Sequence, residues 1–309
     1  MTTTLELPLI GPGGEPIDLR RTLASHGFAD LAPMHPDEET GTLDLTLRVP
    51  RGSPRRLRIG PGAPGHLRAE IAGRPLAAPT VAAITSGITR VLRLDQDLSG
   101  FYELVRDDPD LSWATGGAGR MLASPTVFED VVKTICTTNC SWSLTTTMVR
   151  ALVTHLGEPP AGLAHDPATN AFPTPAAMAA QPESFYREVV RAGYRAPFLR
   201  TLAAQVAAGD IDLERLAEAD PTELPDAELE ATLLRLPGVG PYAATHIAMT
   251  LGRTSHLILD SWTRPTYARL TGRRAVPADR TIVRRFARYG EHAGLAFWLF
   301  LTRDWVPDR

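Results

Sequence analysis

Residues 233–252 read LLRLPGVGPYAATHIAMTLG, in which a glycine- and proline-rich centre separates two helical patterns. Glycine adopts positive φ angles without steric strain, and a proline at the first position of a helix has its φ already set. The pattern predicts a helix-hairpin-helix over about residues 230–251, with Gly238, Val239 and Gly240 at the hairpin. Such a hairpin presents backbone N–H groups at a helix N-terminus, which favours contact with a phosphate of a nucleic-acid backbone.

The continuation of this stretch adds one acid. Residues 255–270 read SHLILDSWTRPTYARL, and Asp260 lies there between an apolar run and a further helical pattern. Aspartate is a frequent N-cap, so one interpretation is that Asp260 only caps the helix that begins near Trp262. The other interpretation is a catalytic carboxylate, and one residue can fill both roles.

Together, LPGVGPYAATHIA and LILDSWTRPTYARL resemble the signature of the helix-hairpin-helix DNA glycosylases, a superfamily with a Gly/Pro-rich hairpin followed by an aspartate. The resemblance implies that Asp260 drives cleavage of the bond between a damaged base and its sugar. It implies double-stranded DNA as the partner and a monovalent cation, held by hairpin carbonyls, as the one candidate cofactor. The branch that the chain resembles is that of 3-methyladenine DNA glycosylase II and 8-oxoguanine glycosylase, whose members carry a small N-terminal β domain.

Lysine usage bears on the type of reaction. The chain contains a single lysine, Lys133. In the bifunctional members of the superfamily a lysine stands two residues after the second hairpin glycine, and Tyr242 occupies that place here. A tyrosine cannot form the imine that leads to strand cleavage, so the resemblance points to a monofunctional enzyme in which water attacks the sugar. Lys133 lies in a helical pattern and is interpreted as a DNA phosphate contact or a solvated residue.

Two further stretches extend the resemblance. SPTVFEDVVKTICTTNCSW begins at Ser124, and in the family a residue near its end is wedged into the DNA stack; by position this is Asn139. A wedge fills the hole left by an extruded nucleotide. Asparagine also tolerates the left-handed conformation, so Asn139 can equally be a helix C-cap. GYRAPFL, residues 193–199, resembles the family's GYRA motif, which follows a DNA-facing loop. Tyr194 and Arg195 can equally be packing and capping residues, and we favour that interpretation.

The C-terminal stretch GLAFWLFLTRDWVPD resembles the closing helix of the alkylation-repair branch, whose aromatic side chains line the pocket for the flipped base. We therefore expect five residues at the base pocket: Tyr242, Phe297, Phe300, Trp262 and His246. An aromatic pocket suits a cationic alkylated purine through cation–π attraction. The alternative for the two phenylalanines is that they belong to the core.

Net charge does not indicate a nucleic-acid partner, because the 309 residues carry a formal net charge of only -3. Local charge does, because arginines outnumber acids between residues 253 and 288 and can replace counterions along a DNA backbone. Arg264 is accordingly expected to contact DNA. The other members of this arginine group are Arg269, Arg273, Arg274, Arg280, Arg284 and Arg285. The alternative is the general arginine bias of a lysine-poor chain.

Cysteine usage limits the possible cofactors, since only Cys136 and Cys140 are present. Iron–sulfur members of the superfamily use four cysteines, so no such cluster can form. Two thiols without a nearby histidine make a poor zinc site, and we expect reduced thiols and no metal. The chain shows neither a signal peptide nor an apolar run long enough for a membrane span, so we expect a cytoplasmic, nucleoid-associated monomer.

The pattern of the chain changes near residue 75. Before it, short alternating runs at 43–49, 55–59 and 67–71 predict antiparallel strands, with one helix near 17–25. After it the period is helical, apart from a long Pro/Gly/Ala-rich connection over 157–174. The expected fold is α+β and mainly α: an N-terminal β domain of residues 1–75 and a helical core of residues 76–309, in which the helix-hairpin-helix lies between two helical subdomains.

Three functions fit these features. The leading one is a monofunctional DNA glycosylase that removes alkylated purines by hydrolysis. A second is a glycosylase for an oxidised or deaminated base, since the missing lysine argues against a lyase but not against simple hydrolysis. The third is a DNA lesion-binding module without activity, against which the position of Asp260 argues.

Overall fold

A computed structural model describes residues 2–50, 52–73, 75–164 and 166–307. The strands of this part of the chain are β1 (Thr2–Pro8), β2 (His35–Asp37), β3 (Thr42–Val49), β4 (Gly52–Pro61) and β5 (His66–Ala72). They form one antiparallel sheet in the order β1-β5-β4-β3-β2.

The sheet turns one face to the helices. Alternation along β3 buries Leu43, Leu45 and Leu47, because successive side chains of a strand point to opposite faces. Helix α2 (Ala78–Leu92) packs on this face. Gly87 permits the close approach, since a Cβ there would lie 3.0 Å from a methyl carbon of Leu47.

The three predicted strands are confirmed as β3, β4 and β5, and the predicted short helix is confirmed over Leu19–Leu23. The sequence did not predict β1 and β2. Both are edge strands, and neither contains a fully buried side chain, so their hydrophobic signal is weak. β2 is also only three residues long.

Beyond the sheet the chain is mostly helical. In chain order the α-helices of the described residues are α1 (Leu19–Leu23), α2 (Ala78–Leu92), α3 (Ser99–Val105), α4 (Val127–Thr137), α5 (Trp142–Leu156), α6 (Pro175–Ala179), α7 (Ala196–Ala208), α8 (Arg215–Glu218), α9 (Asp226–Leu233), α10 (Pro241–Thr250), α11 (Thr263–Leu270), α12 (Asp279–Phe286) and α13 (Ala293–Thr302). The α+β, mainly α fold class is confirmed.

The helix-hairpin-helix is formed by α9 and α10, as predicted. The predicted connection is also present, because the described residues of 157–164 and 166–174 contain only a short 3-10 turn at Pro167–Thr169. None of the helices in the described part of the chain is long and apolar enough to cross a membrane.

The buried apolar residues form two clusters. The first joins the sheet to α2, α4, α5, α7, α9 and α10. The second is formed mainly by α3, α11, α12 and α13. Tyr242 on α10 is partly buried and packs against both clusters. The start of α10 therefore lies where the two helical groups meet, and this junction is also where Asp260 is found. The division into domains at residue 75 stays a prediction.

Candidate active site

Asp260 lies just before α11, and its carboxylate caps that helix. Oδ1 accepts hydrogen bonds from the backbone N–H groups of Trp262 at 2.8 Å and Thr263 at 2.7 Å. Thr263 returns the contact, because its Oγ1 accepts a hydrogen bond from the Asp260 N–H at 2.8 Å. The interpretation as a helix cap is confirmed. Among the described residues Oδ2 has no hydrogen-bond partner, so one carboxylate oxygen remains for a second role.

Asp260 lines a cavity of about 890 Å³. Three of the predicted pocket residues also line it, namely Tyr242, His246 and Trp262. The cavity has further aromatic and imidazole walls that the sequence analysis did not predict: His26, Phe28, Trp142, Trp298 and Trp305. The site is therefore an aromatic chamber with a carboxylate at one wall.

Tyr242 and His246 form one wall of this chamber from successive turns of α10. Their rings are stacked, with centroids 5.8 Å apart and planes inclined by 23°. Burial raises the pKa of the Tyr242 phenol above its usual value, and the nearby Asp260 carboxylate acts in the same direction. The phenol is therefore neutral at physiological pH, and the ring offers an uncharged stacking surface.

Two histidines of the cavity wall are held neutral. Burial lowers the pKa of His246 to about 4 and that of His26 to about 3, and the neighbouring His246 lowers the latter further. His26 is fully engaged: Nε2 lies 2.6 Å from the carbonyl oxygen of Leu122, and Nδ1 accepts from the Phe28 N–H at 3.3 Å. His246 is only 7% exposed, and its Nδ1 has no hydrogen-bond partner among the described residues.

Three tryptophans pack together beside Asp260. The ring centroids of Trp262, Trp298 and Trp305 lie between 5.5 and 5.9 Å from one another. Trp298 is buried and anchored, because its Nε1 donates to the carbonyl of Ser25 at 2.7 Å. Trp262 and Trp305 remain exposed over 39% and 46% of their surfaces. An exposed indole face next to a carboxylate suits a planar or cationic ligand.

The prediction that Phe297 and Phe300 line this pocket is wrong. Both rings are buried in the second apolar cluster, 5.2 and 5.8 Å from the ring of Phe286. Successive residues of an α-helix point to different faces. On α13 the side chain of Trp298 faces the cavity, whereas that of Phe297, one residue earlier, faces the apolar core. Periodicity gave no signal for the correct face, because α13 is buried throughout and Trp305 lies beyond its end, in the 3-10 turn Arg303–Trp305.

The helix that follows the hairpin, α10, begins without a side-chain cap, and we call this an open helix start. Gly238 has a φ of +78°, and a Cβ there would lie 2.8 Å from the Cβ of Phe198. The amide of Val239 closes the turn by donating to the Leu236 carbonyl at 3.1 Å, so it is not free for a ligand as the sequence analysis expected. Gly240 precedes α10 without a side-chain cap. The N–H groups at this helix start are therefore left for a ligand or for water.

Asn139 follows α4 in the left-handed region, at φ +47°, and its side chain is exposed. Its Nδ2 donates to the Tyr194 hydroxyl at 3.0 Å. Arg195 donates to the carbonyl of Thr138 and lies over the Tyr194 ring at 4.6 Å. Tyr194 and Arg195 thus hold the turn, as interpreted, and the role of Asn139 as a wedge stays a prediction.

Lys133 has no surface available to solvent or to DNA in this structure. Its side chain is completely buried in α4, and its Nζ lies 2.7 Å from Oε1 of Glu129, one helical turn earlier. Ten residues of α4 are buried, so this helix has almost no solvated face for a lysine to occupy. The pairing of Glu129 with Lys133 four residues later was the available signal.

The arginine group divides into paired and unpaired members. Arg264 forms a two-point contact with Asp279, at 2.8 and 2.9 Å, so it is not a free DNA contact in this structure. Arg285 is likewise paired with Asp110. The exposed members without an ion pair among the described residues are Arg269, Arg273, Arg274, Arg280 and Arg284.

The cysteines are free thiols in α4 and the turn after it. Cys136 is buried, and burial raises the pKa of its thiol to about 12. Cys140 Sγ lies 3.1 Å from the Cys136 carbonyl. Within the described part of the chain, no group of three His, Cys, Asp or Glu side chains is arranged to hold a metal ion.

No family model and no curated protein sequence matches the chain. Solved structures do match it over nearly its whole length. A 3-methyladenine DNA glycosylase from Archaeoglobus fulgidus has 18% identity and a TM-score of 0.73, over 98% of this chain and 100% of that one. An 8-oxoguanine glycosylase/lyase from Clostridium acetobutylicum has 18% identity and a TM-score of 0.68, over 96% and 95%.

A third match is MBOgg1, solved in complex with a low-affinity DNA ligand, with 19% identity and a TM-score of 0.70 over 98% of this chain and 96% of that one. The fold of this chain is therefore that of the helix-hairpin-helix DNA glycosylases. The resemblance drawn from the hairpin and the aspartate is confirmed at the level of the fold.

Proposed function

We propose that the protein is a monofunctional DNA glycosylase that releases damaged, chiefly alkylated, purines from duplex DNA. One observation carries the proposal: the free carboxylate oxygen of Asp260 lies at the wall of an aromatic cavity next to the open helix start of the hairpin. A carboxylate, an aromatic cavity large enough to admit a base and a phosphate-binding helix start are the parts that base excision needs.

Asp260 would stabilise the positive charge that develops on the sugar as the bond to the base breaks. Electrostatic groups that are already in place lower the barrier because they need no reorganisation during the reaction. The capping contacts of Oδ1 with Trp262 and Thr263 hold the carboxylate in place. Water would then add to the sugar, and an abasic site would remain.

The neutral walls of the cavity favour an electron-poor base. Tyr242 stays a neutral phenol, and His246 stays a neutral imidazole, so neither repels a cationic purine. The indole faces of Trp262 and Trp305 offer cation–π attraction to the same base. A cationic alkylated purine is already a good leaving group, so one carboxylate suffices.

Strand cleavage by a lysine is not expected from this site. The only lysine of the chain, Lys133, is buried in an ion pair with Glu129. Tyr242 stands where the bifunctional members carry their lysine. The product of the reaction would therefore be an abasic site in an intact strand.

The DNA backbone would bind at the start of α10 through the N–H groups after Gly240. Hard cations take oxygen ligands, and the hairpin turn offers backbone carbonyls, so the proposal includes the monovalent cation that the family resemblance implies. The Leu236 carbonyl already accepts from the Val239 N–H, so it would share its oxygen with the cation. Asn139, exposed after α4, would enter the space left by the flipped nucleotide.

A second candidate is a glycosylase for an oxidised base. It is favoured by the fold match to a Clostridium acetobutylicum 8-oxoguanine glycosylase/lyase. The neutral His246 lines the cavity and offers an uncharged imidazole wall to a neutral oxidised purine.

The test is base release from duplex oligonucleotides that each carry one lesion: an N-alkylated purine, 8-oxoguanine, hypoxanthine or uracil. Strand breaks that appear only after alkali, and on the alkylated purine first, are the expected result. Release of 8-oxoguanine alone would favour the second candidate. Tight DNA binding without release of any base would leave a lesion-binding module.

A further inference from the structure

Five exposed arginines lie on α11, on α12 and in the link between them, and their side chains form no ion pair or hydrogen bond among the described residues. They are Arg269, Arg273, Arg274, Arg280 and Arg284, and we call them the arginine face. Residues 261–290 include a single acid, Asp279, and Arg264 already binds it at 2.8 and 2.9 Å. Within the described structure, the arginine face therefore carries positive charge that no ion pair compensates.

Helix stability explains only part of this arrangement. Arg269 and Arg284 lie in the last turns of their helices, where the helix dipole favours a positive charge. Arg280 lies in the first turn of α12, where the dipole disfavours it, and it is four residues from Arg284, a spacing at which like charges destabilise a helix. Arg273 and Arg274 lie outside both helices. A bound anion would relieve the repulsion among these charges.

The arginine face begins beside the cavity and leads away from it. α11 and α12 lie side by side and run in the same direction, because Arg264 binds Asp279 in their first turns and, farther along, Arg285 donates from Nη1 to the Tyr267 hydroxyl at 3.4 Å. α11 starts just after Asp260, at the cavity wall. An eight-residue helix is about 12 Å long, so the arginine face extends over about that distance.

This length corresponds to a short stretch of duplex DNA. The duplex carries one phosphate charge per about 1.7 Å of its axis, so about 12 Å covers about three or four base pairs. The cavity wall on the side of β2 has the opposite charge, because its lining residues include Asp30, Asp37 and Glu38, with Arg20 as the basic residue there. Carboxylates repel phosphate. The two sides of the cavity therefore differ in their attraction for a DNA backbone.

The chemistry of the arginine face fits phosphate better than a protein partner. Its exposed apolar residues are two valines, Val276 and Val283, and residues 269–284 include no aromatic residue. The cores of protein interfaces are enriched in aromatic residues and depleted of charge. The planar guanidinium group, in contrast, binds phosphate oxygens through two parallel N–H donors.

We infer that the arginine face is an auxiliary duplex-binding surface, which holds the DNA on one side of the nucleotide in the cavity and makes the footprint of the protein asymmetric. The inference rests on the proposed function, which places that nucleotide in the cavity beside Asp260. It goes beyond the proposed function because the arginine face does not line the cavity and takes no part in base release.

The first experiment measures the salt dependence of binding to an undamaged duplex. Arg280→Gln/Arg284→Gln should lower the slope of log affinity against log salt concentration by about 1 to 2, since each phosphate contact contributes about 0.9. Arg150→Gln/Arg215→Gln is the matched control, because it removes two exposed arginines that have no ion pair among the described residues and lie on other helices. An unchanged slope, or an equal decrease in the control, would overturn the inference and favour an acidic protein as the partner of the arginine face.

The second experiment tests the asymmetry with two duplexes that carry an uncleavable abasic-site analogue. One has an arm of about two base pairs on the 5′ side and about fifteen on the 3′ side, and the other has the reverse. The wild-type protein should bind one of them about three- to tenfold more tightly, and Arg280→Gln/Arg284→Gln should abolish the difference. Equal binding of both duplexes by the wild-type protein, or a preference that the variant keeps, would contradict a one-sided surface.

Base release by the same proteins separates this inference from the proposed function. In single turnover with saturating protein, Arg280→Gln/Arg284→Gln should release a damaged base at the wild-type rate, because neither arginine lines the cavity. A slower rate at saturation would contradict a role in binding alone. If the wild-type protein releases no base from any lesion, the proposed function is overturned, and the binding preference for one duplex still decides whether the arginine face holds DNA.

Discussion

Helices α10 and α11 both begin near the cavity, but their first turns are capped in opposite ways. α10 begins after Gly240 with no side-chain cap. α11 is closed by its own residues, because Asp260 and Thr263 exchange hydrogen bonds across its first turn. The open start leaves N–H groups for an external anion. The closed start uses its N–H groups to fix a carboxylate. Under the proposed function, the open start of α10 would bind DNA and the closed start of α11 would hold the catalytic group.

Removal of the charge at the closed start should have the largest effect. Asp260→Asn keeps an oxygen that can accept from the N–H groups of Trp262 and Thr263, so the fold and DNA affinity should persist. Base release should fall roughly 10²- to 10³-fold or more, as for loss of a group that stabilises transition-state charge. Single-turnover release and a DNA-binding titration measure the two properties, and equal activity in the variant would overturn the assignment of Asp260.

Closing the open start should weaken DNA binding without harming the fold. Gly240 has an extended backbone, and a Cβ there has open space around it, so Gly240→Asp should cap α10 and stabilise it slightly. The new carboxylate would repel a phosphate at the same place, and DNA affinity should fall by about tenfold or more. Gly240→Asn is the control, since it caps without charge and should lose less affinity. Unchanged binding in the Asp variant would place the DNA backbone elsewhere.

Strain at Gly238, in the hairpin turn before α10, should lower both the stability of the fold and the affinity for DNA. Gly238→Ala forces a non-glycine residue to φ +78° and places its Cβ 2.8 Å from Phe198, so the free energy of unfolding should drop by about 1–2 kcal/mol. Gly209→Ala is the matched control, because Gly209 has φ +82° at the end of α7 with no atom within 4 Å of a Cβ. DNA affinity should fall only in the Gly238 variant, and thermal melts with parallel binding titrations check this.

Loosening the closed start should have the smallest effect. Thr263→Val keeps the shape of a buried side chain but removes the Oγ1 that accepts from the Asp260 N–H. We expect about 1 kcal/mol lower stability and a few-fold slower base release at unchanged DNA affinity. Thr263→Ser restores the acceptor and should recover both properties. If Ser and Val behave alike, the reciprocal contact does not position the carboxylate.

Local sequence was enough to predict the hairpin, α10 and the aspartate before α11, because turns, caps and helical periodicity are determined by neighbouring residues. It was not enough for the far wall of the cavity. His26 and Phe28 meet His246 through a tertiary contact across more than two hundred residues, and no local pattern records such a contact. Phe297 was placed on the wrong face because α13 is buried on all sides, so its sequence carries no amphipathic signal.

Lys133 was misplaced for a related reason. Lysine is rarely buried, so a solvated position was the natural expectation, and only its pairing with Glu129 argued otherwise. Arg264 was expected to be free for DNA, but Asp279 lies fifteen residues away and reaches back to it from the start of α12. Both cases show that charge in a sequence does not reveal whether its partner is a ligand or another side chain.

The burial of Lys133 also allows unfolding to be measured by proteolysis. It is the single lysine, and it lies inside α4 with no exposed surface. A protease that cuts only after lysine has one site in the whole molecule and reaches it only when the helix leaves the core. Cleavage at that site, which gives two fragments of predictable size, would therefore measure the population of opened molecules directly, with or without DNA present.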